Sequence, residues 1–365
     1  MNLLFKEILH NPILWLLVFV PAVFVAEQVR PEAQTMLFVL SVLAIVPLAA
    51  LLSHATESVA AKTGDNVGGL LNATLGNLTE LVITLTALSA GEYILVKASI
   101  AGAIVTNVLF MLGTSFLLGG LRHHAQQFNS ASARLQACLL FLATIALFLP
   151  TVVGLRVTAS NADVTQTLSL CLAILLIVIY ALGLLFSLKT HREFFGSATA
   201  HEEEDNAPWP LTLAFGTLGC VTVLVAMVSE IFVSSVQEAA QEMGMTDAFV
   251  GFIVVALVGG AAEMASAFSG ARKNRLDLSV GIALGSATQI ALFVAPVLVL
   301  ASYVLGPSPM TLQFWPGAVV MMLLATLTAA MVSTGGRSAW FVGVLIIGVY
   351  LMFAITLYLL PPSGA

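Results

Sequence analysis

The sequence predicts an all-α, polytopic integral membrane protein with about eleven transmembrane helices. It is expected to have one leading helix followed by two inverted copies of a five-helix unit. Three observations carry this expectation. The mean hydropathy is +1.03, and only 9% of the 365 residues are charged while 59% are apolar, against about 25% charged in soluble chains. Apolar stretches of spanning length recur along the whole chain. A short motif also recurs at a fixed distance on either side of the one long polar connection.

Spanning a bilayer as a helix takes about 17–25 apolar residues. Such stretches fall at roughly 12–28, 34–56, 67–89, 94–119, 132–154, 165–188, 209–235, 248–271, 278–305, 310–332 and 339–360. None alternates polar and apolar residues, as a membrane β-barrel strand would. The first stretch follows Lys6 in the manner of a signal peptide, but no small-x-small cleavage pattern precedes Arg30, so it is expected to remain as a helix. Cys138, Cys171 and Cys220 stand singly in apolar runs without metal-ligand spacing and are expected to be packing residues.

Orientation follows from the basic residues. With the N-terminus inside, Lys6, Lys62, Arg122, Arg134, Lys189, Arg192, Arg272, Lys273, Arg275 and Arg337 face the cytoplasm, and only Arg30, Lys97 and Arg156 lie opposite. The expected organisation is helix 1 in 1–30, a first repeat in 31–190, an acidic cytoplasmic linker in 191–208 and a second repeat in 209–365. The linker carries Glu202, Glu203, Glu204 and Asp205. Such a run reads either as a solvated connection or as a cation-attracting patch beside a pore.

The repeat is visible in residues. Gly76 and Glu80 in "GNLTE" return as Gly259 and Glu263 in "GGAAE", 183 residues on. In the next helix Gly102 and Phe110 match Gly285 and Phe293 at the same distance. Upstream, Glu57 in "TES" resembles Glu238 in "VQEAA" once a small gap is allowed. Five spans per copy is an odd number, so the second copy enters the membrane from the other side. That is the inverted-repeat plan of secondary transporters, which bind substrate where the copies meet.

An acidic side chain at the centre of a spanning helix costs roughly 2.5–3.5 kcal/mol on insertion scales, so two in matched places call for a reason. Read as continuous helices, Asn77, Glu80 and Thr84 share one face, and Gly259, Glu263, Ser266 and Gly270 make a similar stripe. Ser286 and Gln289 share a face of helix nine, and Ser99, Gly102 and Thr106 share one of helix four. Glycine beside each glutamate lets helices approach and lets carbonyls turn toward a ligand. Carboxylates, carbonyls, hydroxyls and amides together form a hard oxygen site suited to Ca²⁺, Mg²⁺ or Mn²⁺. The plainer alternative is a pair of protonated glutamates bonding between helices, which leaves their duplication beside Gly, Asn, Ser and Gln unexplained. Glu57, Glu230 and Glu238 read either as helix-end residues or as the lining of access paths. Withdrawal from water disfavours a bare carboxylate, so protons and a cation would compete for the same oxygens, which is the basis of exchange.

The segments "GLLNATLGNLTELVI" and "GGAAEMASAFSGARKNRLDLSVGIALGSATQIALFVAPVLVL" resemble the two α-repeats of the cation/proton exchangers, the Ca²⁺/H⁺ antiporters of the Ca²⁺/cation antiporter superfamily. The resemblance covers nearly the whole chain. It implies Glu80 and Glu263 as the central Ca²⁺ and H⁺ carboxylates, helped by carbonyls near Gly76 and Gly259. It places Asn77, Asn107, Ser286 and Gln289 around them, Glu57 and Glu230 on access paths, and the linker acids in the family's acidic segment. The chain departs from the family pattern at Gly260, where Asn is usual, at Met264, where His is usual, and at Ala103, where Ser is frequent.

The expected function is secondary active export of Ca²⁺ from the cytoplasm in exchange for H⁺, by alternating access around Glu80 and Glu263. Na⁺/Ca²⁺ or monovalent cation/H⁺ exchange is the nearest alternative, and a passive cation channel is a further one. An intramembrane enzyme finds no HExxH, GxGD or Ser/His arrangement to support it. No cofactor is expected, only transported Ca²⁺ and H⁺. The expected surroundings are membrane lipid, with no nucleic acid and a homo-oligomer left open, in a prokaryotic plasma (inner) membrane.

Overall fold

The computed structural model describes residues 8, 11–63, 65–154, 162–191 and 209–360. Lys6, Arg156, Arg192 and the linker acids Glu202 to Asp205 lie outside these residues. In chain order the helices are α1 (Pro12–Val29), α2 (Gln34–Lys62), α3 (Asp65–Leu75), α4 (Leu78–Ser89), α5 (Tyr93–His123), α6 (Ser130–Gly154), α7 (Asp163–Thr190), α8 (Leu211–Glu242), α9 (Asp247–Gly259), α10 (Ala261–Arg272), α11 (Leu276–Leu305), α12 (Pro316–Ser333) and α13 (Trp340–Leu359). Two three-residue strands, β1 (Ala125–Gln127) and β2 (Arg337–Ala339), pair antiparallel with Gln126 opposite Ser338.

Among the described residues nine helices are long and apolar enough to cross a membrane, and α9 with α10 makes a tenth bent by 58°. The sequence expected one continuous helix at 67–89 and another at 248–271. Each is instead two helices, broken at Gly76–Asn77 and at Gly260. The expected span at 310–332 is also shorter, because the helix begins only at Pro316 and the preceding residues run in irregular, packed backbone. The three cysteines lie on exposed faces, not in the core.

The two halves run in opposite directions, as inverted copies must. The hydroxyl of Thr35, at the start of α2, bonds the Glu242 carboxylate at the end of α8. At the other end Trp209 N donates to Ser58 Oγ (3.2 Å), and the Trp209 ring meets His54 edge-on at 4.4 Å. Between them Phe38 stacks on Phe232 at 5.3 Å. At 1.5 Å per residue the 32-residue α8 is about 48 Å long, so it must tilt or emerge from a core about 30 Å thick.

The innermost helices are α5 and α11, whose apolar windows are 83% and 61% buried, against 22% for α1, α7 and α13. Close approach around α5 is made by glycine. A Cβ on Gly251 of α9 would lie 2.6 Å from the Ala98 methyl and 2.9 Å from Leu95 O, and one on Gly102 would collide with the Phe252 backbone. Because lipid tails are as apolar as leucine, such backbone contact is what holds helices together in a membrane. Each of the two central helices also changes to π-helix at matched places, Thr106–Met111 and Ile290–Val294. The wider turn re-aims the side chains on either side of it.

Replacing Gly102 with Leu is expected to force α5 and α9 apart. Overpacking of this kind costs about 1–3 kcal/mol, so the purified variant should unfold several degrees below the parent in detergent. Melting at the parent temperature would show that this crossing is not a close backbone contact.

Candidate cation site

Glu80 is the third residue of α4, and Glu263 is the third residue of α10. Each carboxylate therefore sits in the first turn of a helix that starts inside the bundle. The unsatisfied N–H groups of a helix start favour negative charge there, which offsets part of the cost of burying it. The chain breaks where it does because of glycine and asparagine. The regular ladder stops at Gly76 N to Asn72 O (2.8 Å) and resumes at Leu81 N to Asn77 O (3.0 Å). In the second half the flanking bonds are Gly260 N to Ala256 O (3.2 Å) and Met264 N to Gly260 O (2.9 Å). Before the first break Ala73 O accepts from the Tyr180 hydroxyl, and before the second the Gly260 N–H is directed to Ala256 O and Val258 O.

The two halves face each other across these breaks. The Glu80 side chain lies against Gly259: a Cβ there would be 3.0 Å from Glu80 Cγ and 3.3 Å from its Oε1. In return the Gln289 amide lies against Gly76, with Oε1 3.4 Å and Nε2 3.7 Å from the corresponding point. Asn107 Nδ2 donates to Ser286 Oγ (2.8 Å), and Ser286 Oγ donates to Asn77 Oδ1 (2.7 Å). This chain of hydrogen bonds joins α5, α11 and the first break. Ser286 also stands beside the Glu263 carboxyl group, whose charged neighbours are Glu80 and Glu57.

Several polar atoms at this spot are buried without a partner: Glu263 Oε2, Asn107 Oδ1, Asn77 Nδ2 and Gln289 Nε2. A buried polar atom left unpaired is costly, and Asn107 is only 1% exposed and Glu80 7%. Two unpaired oxygens beside a second carboxylate fit a cation that would complete their coordination. Among the described residues no three His, Cys, Asp or Glu side chains converge, so an ion held here takes its remaining ligands from amides, the Ser286 hydroxyl and backbone carbonyls.

The structure brings Gly76, Asn77, Glu80, Asn107, Gly259, Glu263, Ser286 and Gln289 together. Some expectations change. Asn77 is not on the helix with Glu80 but forms the break before it, and Gly259 closes α9 whereas Glu263 belongs to α10. The Thr84 hydroxyl is taken by Glu80 O (2.6 Å) and that of Ser99 by Leu95 O (2.7 Å). Thr106 reaches Tyr350 OH (3.4 Å), and Gly102 and Gly270 serve packing, while Ser266 is exposed.

The outlying acids divide between the two ends of the α2–α8 pair. Glu57, which accepts from Ser53 Oγ (3.1 Å), is near the end of α2 that meets Trp209. Glu230 and Glu238 are exposed on α8, toward the end that meets Thr35. What the residue reading missed is Gly260 as the break itself and the π-helical turns Thr106–Met111 and Ile290–Val294. A repeated Gly at the foot of each acidic helix was the available signal for the first. Nothing in residue type signals a π-turn.

Comparison with known proteins places this geometry. The sodium/calcium exchanger protein family matches residues 33–189 and 213–359. A Ca²⁺/H⁺ antiporter of Aphanothece halophytica is 40% identical, covering 95% of this chain and 96% of its own length. The Ca²⁺/H⁺ antiporter ChaA of Bacillus subtilis is also 40% identical, over 89% of this chain and 92% of that one. The solved structure of native YfkE superposes with a TM-score of 0.83 at 34% identity, covering 96% of this chain and all of that one.

Replacing Ser286 with Ala removes the link between Asn107 and Asn77 and leaves both amides short of a partner. Such a loss is worth about 1–3 kcal/mol, so Ca²⁺ affinity by titration calorimetry should fall by about tenfold or more with the fold intact. Unchanged affinity would mean that the ion does not feel this chain of bonds.

Proposed function

The chain belongs to the sodium/calcium exchanger protein family, and from that premise we propose that it is a secondary active antiporter that moves Ca²⁺ out of the cytoplasm in exchange for protons. One observation carries the reading: two carboxylates, each in the first turn of a half-helix, face one another beside unpaired amide and carboxyl oxygens. Relatives named as Ca²⁺/H⁺ antiporters cover nearly the whole chain.

The chemistry follows from the oxygens. Without a cation, two neighbouring carboxylates inside the bundle repel each other, and protons relieve that repulsion. Ca²⁺ supplies two positive charges to the same oxygens and displaces those protons, and the carbonyls before each break together with Asn77, Asn107, Ser286 and Gln289 replace its water. Because the same carboxylates hold either cargo, loading one excludes the other, and a proton gradient can drive Ca²⁺ against its own. In this scheme Glu57 lies on the path to one side and Glu230 and Glu238 on the path to the other, so that alternating access presents the central pair to each in turn. The acidic linker, Glu202 to Asp205, would enrich cations on its side.

The reading places the protein in a prokaryotic plasma membrane with the N-terminus and the linker inside. The ends of α2 and α8 that meet at Ser58 and Trp209 would then lie on the cytoplasmic side. Alkaline phosphatase, active only outside the cytoplasm, is expected to be active when fused after Leu360 and silent when fused within 192–208. The opposite pattern would reverse the orientation.

The transport reading is tested in everted vesicles or proteoliposomes. Ca²⁺ uptake should require an imposed pH gradient, ignore Na⁺ and drop to background in both Glu80→Gln and Glu263→Gln. Uptake that follows Na⁺ would make the protein a sodium-coupled exchanger, and transport at parent rates in either variant would remove the paired glutamates from the mechanism.

A further inference from the structure

The stretch between α11 and α12, residues 306–315, reads "GPSPMTLQFW" and is not a helix: Pro307, Ser308 and Pro309 are exposed, and from Met310 onward the backbone packs inward. Its residues alternate. Met310, Leu312 and Phe314 are buried, while Pro307 and Pro309 supply no backbone N–H. The amides of residues 308, 310, 312 and 314 are each taken by a hydroxyl, and the four hydroxyls come from four different helices. Ser308 N donates to Tyr93 OH of α5 (2.9 Å), and Met310 N donates to Ser302 Oγ of α11 (2.7 Å). Leu312 N donates to Ser169 Oγ of α7 (3.1 Å), and Phe314 N donates to Thr151 Oγ1 of α6 (3.0 Å).

Three of these hydroxyls are fixed in direction. Tyr93 OH donates back to Ser308 O (2.6 Å). Ser302 Oγ donates to Val299 O (2.6 Å), and Ser169 Oγ donates to Thr165 O (2.8 Å). Each therefore spends its proton on a carbonyl and offers a lone pair to the segment. Lys97 Nζ adds a contact to Thr311 Oγ1 (3.4 Å). Non-helical backbone buried at a membrane protein's end is tolerated only where such partners exist. All four must be in register at once, because the donors are two residues apart on one rigid segment.

The corresponding connection of the first half, between α5 and α6, is also tied down, by other means. β1 pairs with β2, Gln126 Nε2 donates to Ala271 O (2.9 Å) and Asn274 Oδ1 (3.0 Å), and Asn129 N bonds the Asp277 carboxylate. Each copy thus has one pegged connection, and inversion puts the two on opposite faces. The pegs on 306–315 come from α5, α6, α7 and α11, and among the described residues none comes from α2 or α8.

We propose that residues 306–315 are a clamp that stays seated in both access states. It locks α5, α6, α7, α11 and α12 into one body, so that the face opposite Glu57 opens without the segment lifting. The clamp holds at one end the two helices that carry Asn107, Ser286 and Gln289. Tyr93, Thr151, Ser169 and Ser302 are positioning residues for the site in this sense.

The inference rests on the antiport reading and is tested so that the two fail separately. In a chain with Cys138, Cys171 and Cys220 changed to Ser, Lys97→Cys and Thr311→Cys leave all four pegs in place, and the two introduced thiols are joined by a short thiol-reactive cross-linker. Joined and unjoined protein should take up Ca²⁺ at rates within about twofold. Uptake that stops on joining, in protein that transports before it, would make the segment a gate and overturn the clamp. A chain that transports no Ca²⁺ even unjoined would instead count against the antiport reading. Clamping then still has its own readout: amide hydrogen exchange at 308, 310, 312 and 314 should stay slow with and without Ca²⁺ at both high and low pH, and fast exchange in any condition overturns it. Ser169→Ala with Thr151→Val should slow uptake by about tenfold, and Ser169→Thr should retain it. Adding the cross-linked pair of thiols, through Lys97→Cys and Thr311→Cys, to that double variant should restore uptake. Parent-like uptake by the unjoined double variant would show that the pegs hold nothing the cycle needs.

Discussion

Everything in this molecule is arranged around two carboxylates that face each other inside the bundle, Glu80 buried and Glu263 half-buried. Neither is tolerable there alone. What makes them tolerable is that each lies in the first turn of a helix beginning inside the bundle, where the free N–H groups of the helix start meet the charge. That requires a chain break at the foot of each helix, which is why Gly76–Asn77 and Gly260 stand where they do. The breaks in turn interrupt the regular ladder, between Gly76 N to Asn72 O and Leu81 N to Asn77 O in the first half. One electrostatic requirement therefore accounts for the half-helices and the glycines together.

The rest of the fold keeps this unstable arrangement in register. The most buried helices, α5 and α11, carry Asn107, Ser286 and Gln289 to the breaks, and their π-helical turns adjoin those residues. Glycine contacts bring α5 within backbone reach of α9, so the polar side chains can bridge between halves. The outermost helices contribute apolar surface to lipid and little to the site, as their low burial shows.

Much of the site was legible because charge in an apolar run has few excuses. Glu80 and Glu263 announce themselves by residue type, by position and by recurrence. Ser286 and Gln289 were visible as polar residues on one helix face, and Asn107 through family resemblance. Other expectations failed for a common reason. Hydropathy reports that a residue is buried and says nothing about its backbone, so "MTLQFW" before Pro316 read as the start of a helix when it is a pegged, irregular segment. Likewise 67–89 and 248–271 read as single spans, because a break lined by glycine and small residues does not lower the apolar average. Ser99, Thr84 and Thr106 looked like ligands by spacing, yet their hydroxyls had nearer carbonyl or phenol partners that spacing cannot reveal.

The sequence by itself determined that the chain lives in a membrane, that a motif recurs in its two halves, and that each copy of that motif carries one acid in an apolar run. These are properties of composition, period and recurrence, and they survive without coordinates. Only the tertiary structure decided that Glu80 lies against Gly259, that Gln289 returns the contact to Gly76, and that Ser286 links Asn77 to Asn107. Those pairings join residues from opposite halves of the chain, and nothing in either local stretch encodes the distance between them. They exist because inversion brings the starts of two half-helices to one place, a fact of three-dimensional packing that a linear pattern can suggest but cannot fix.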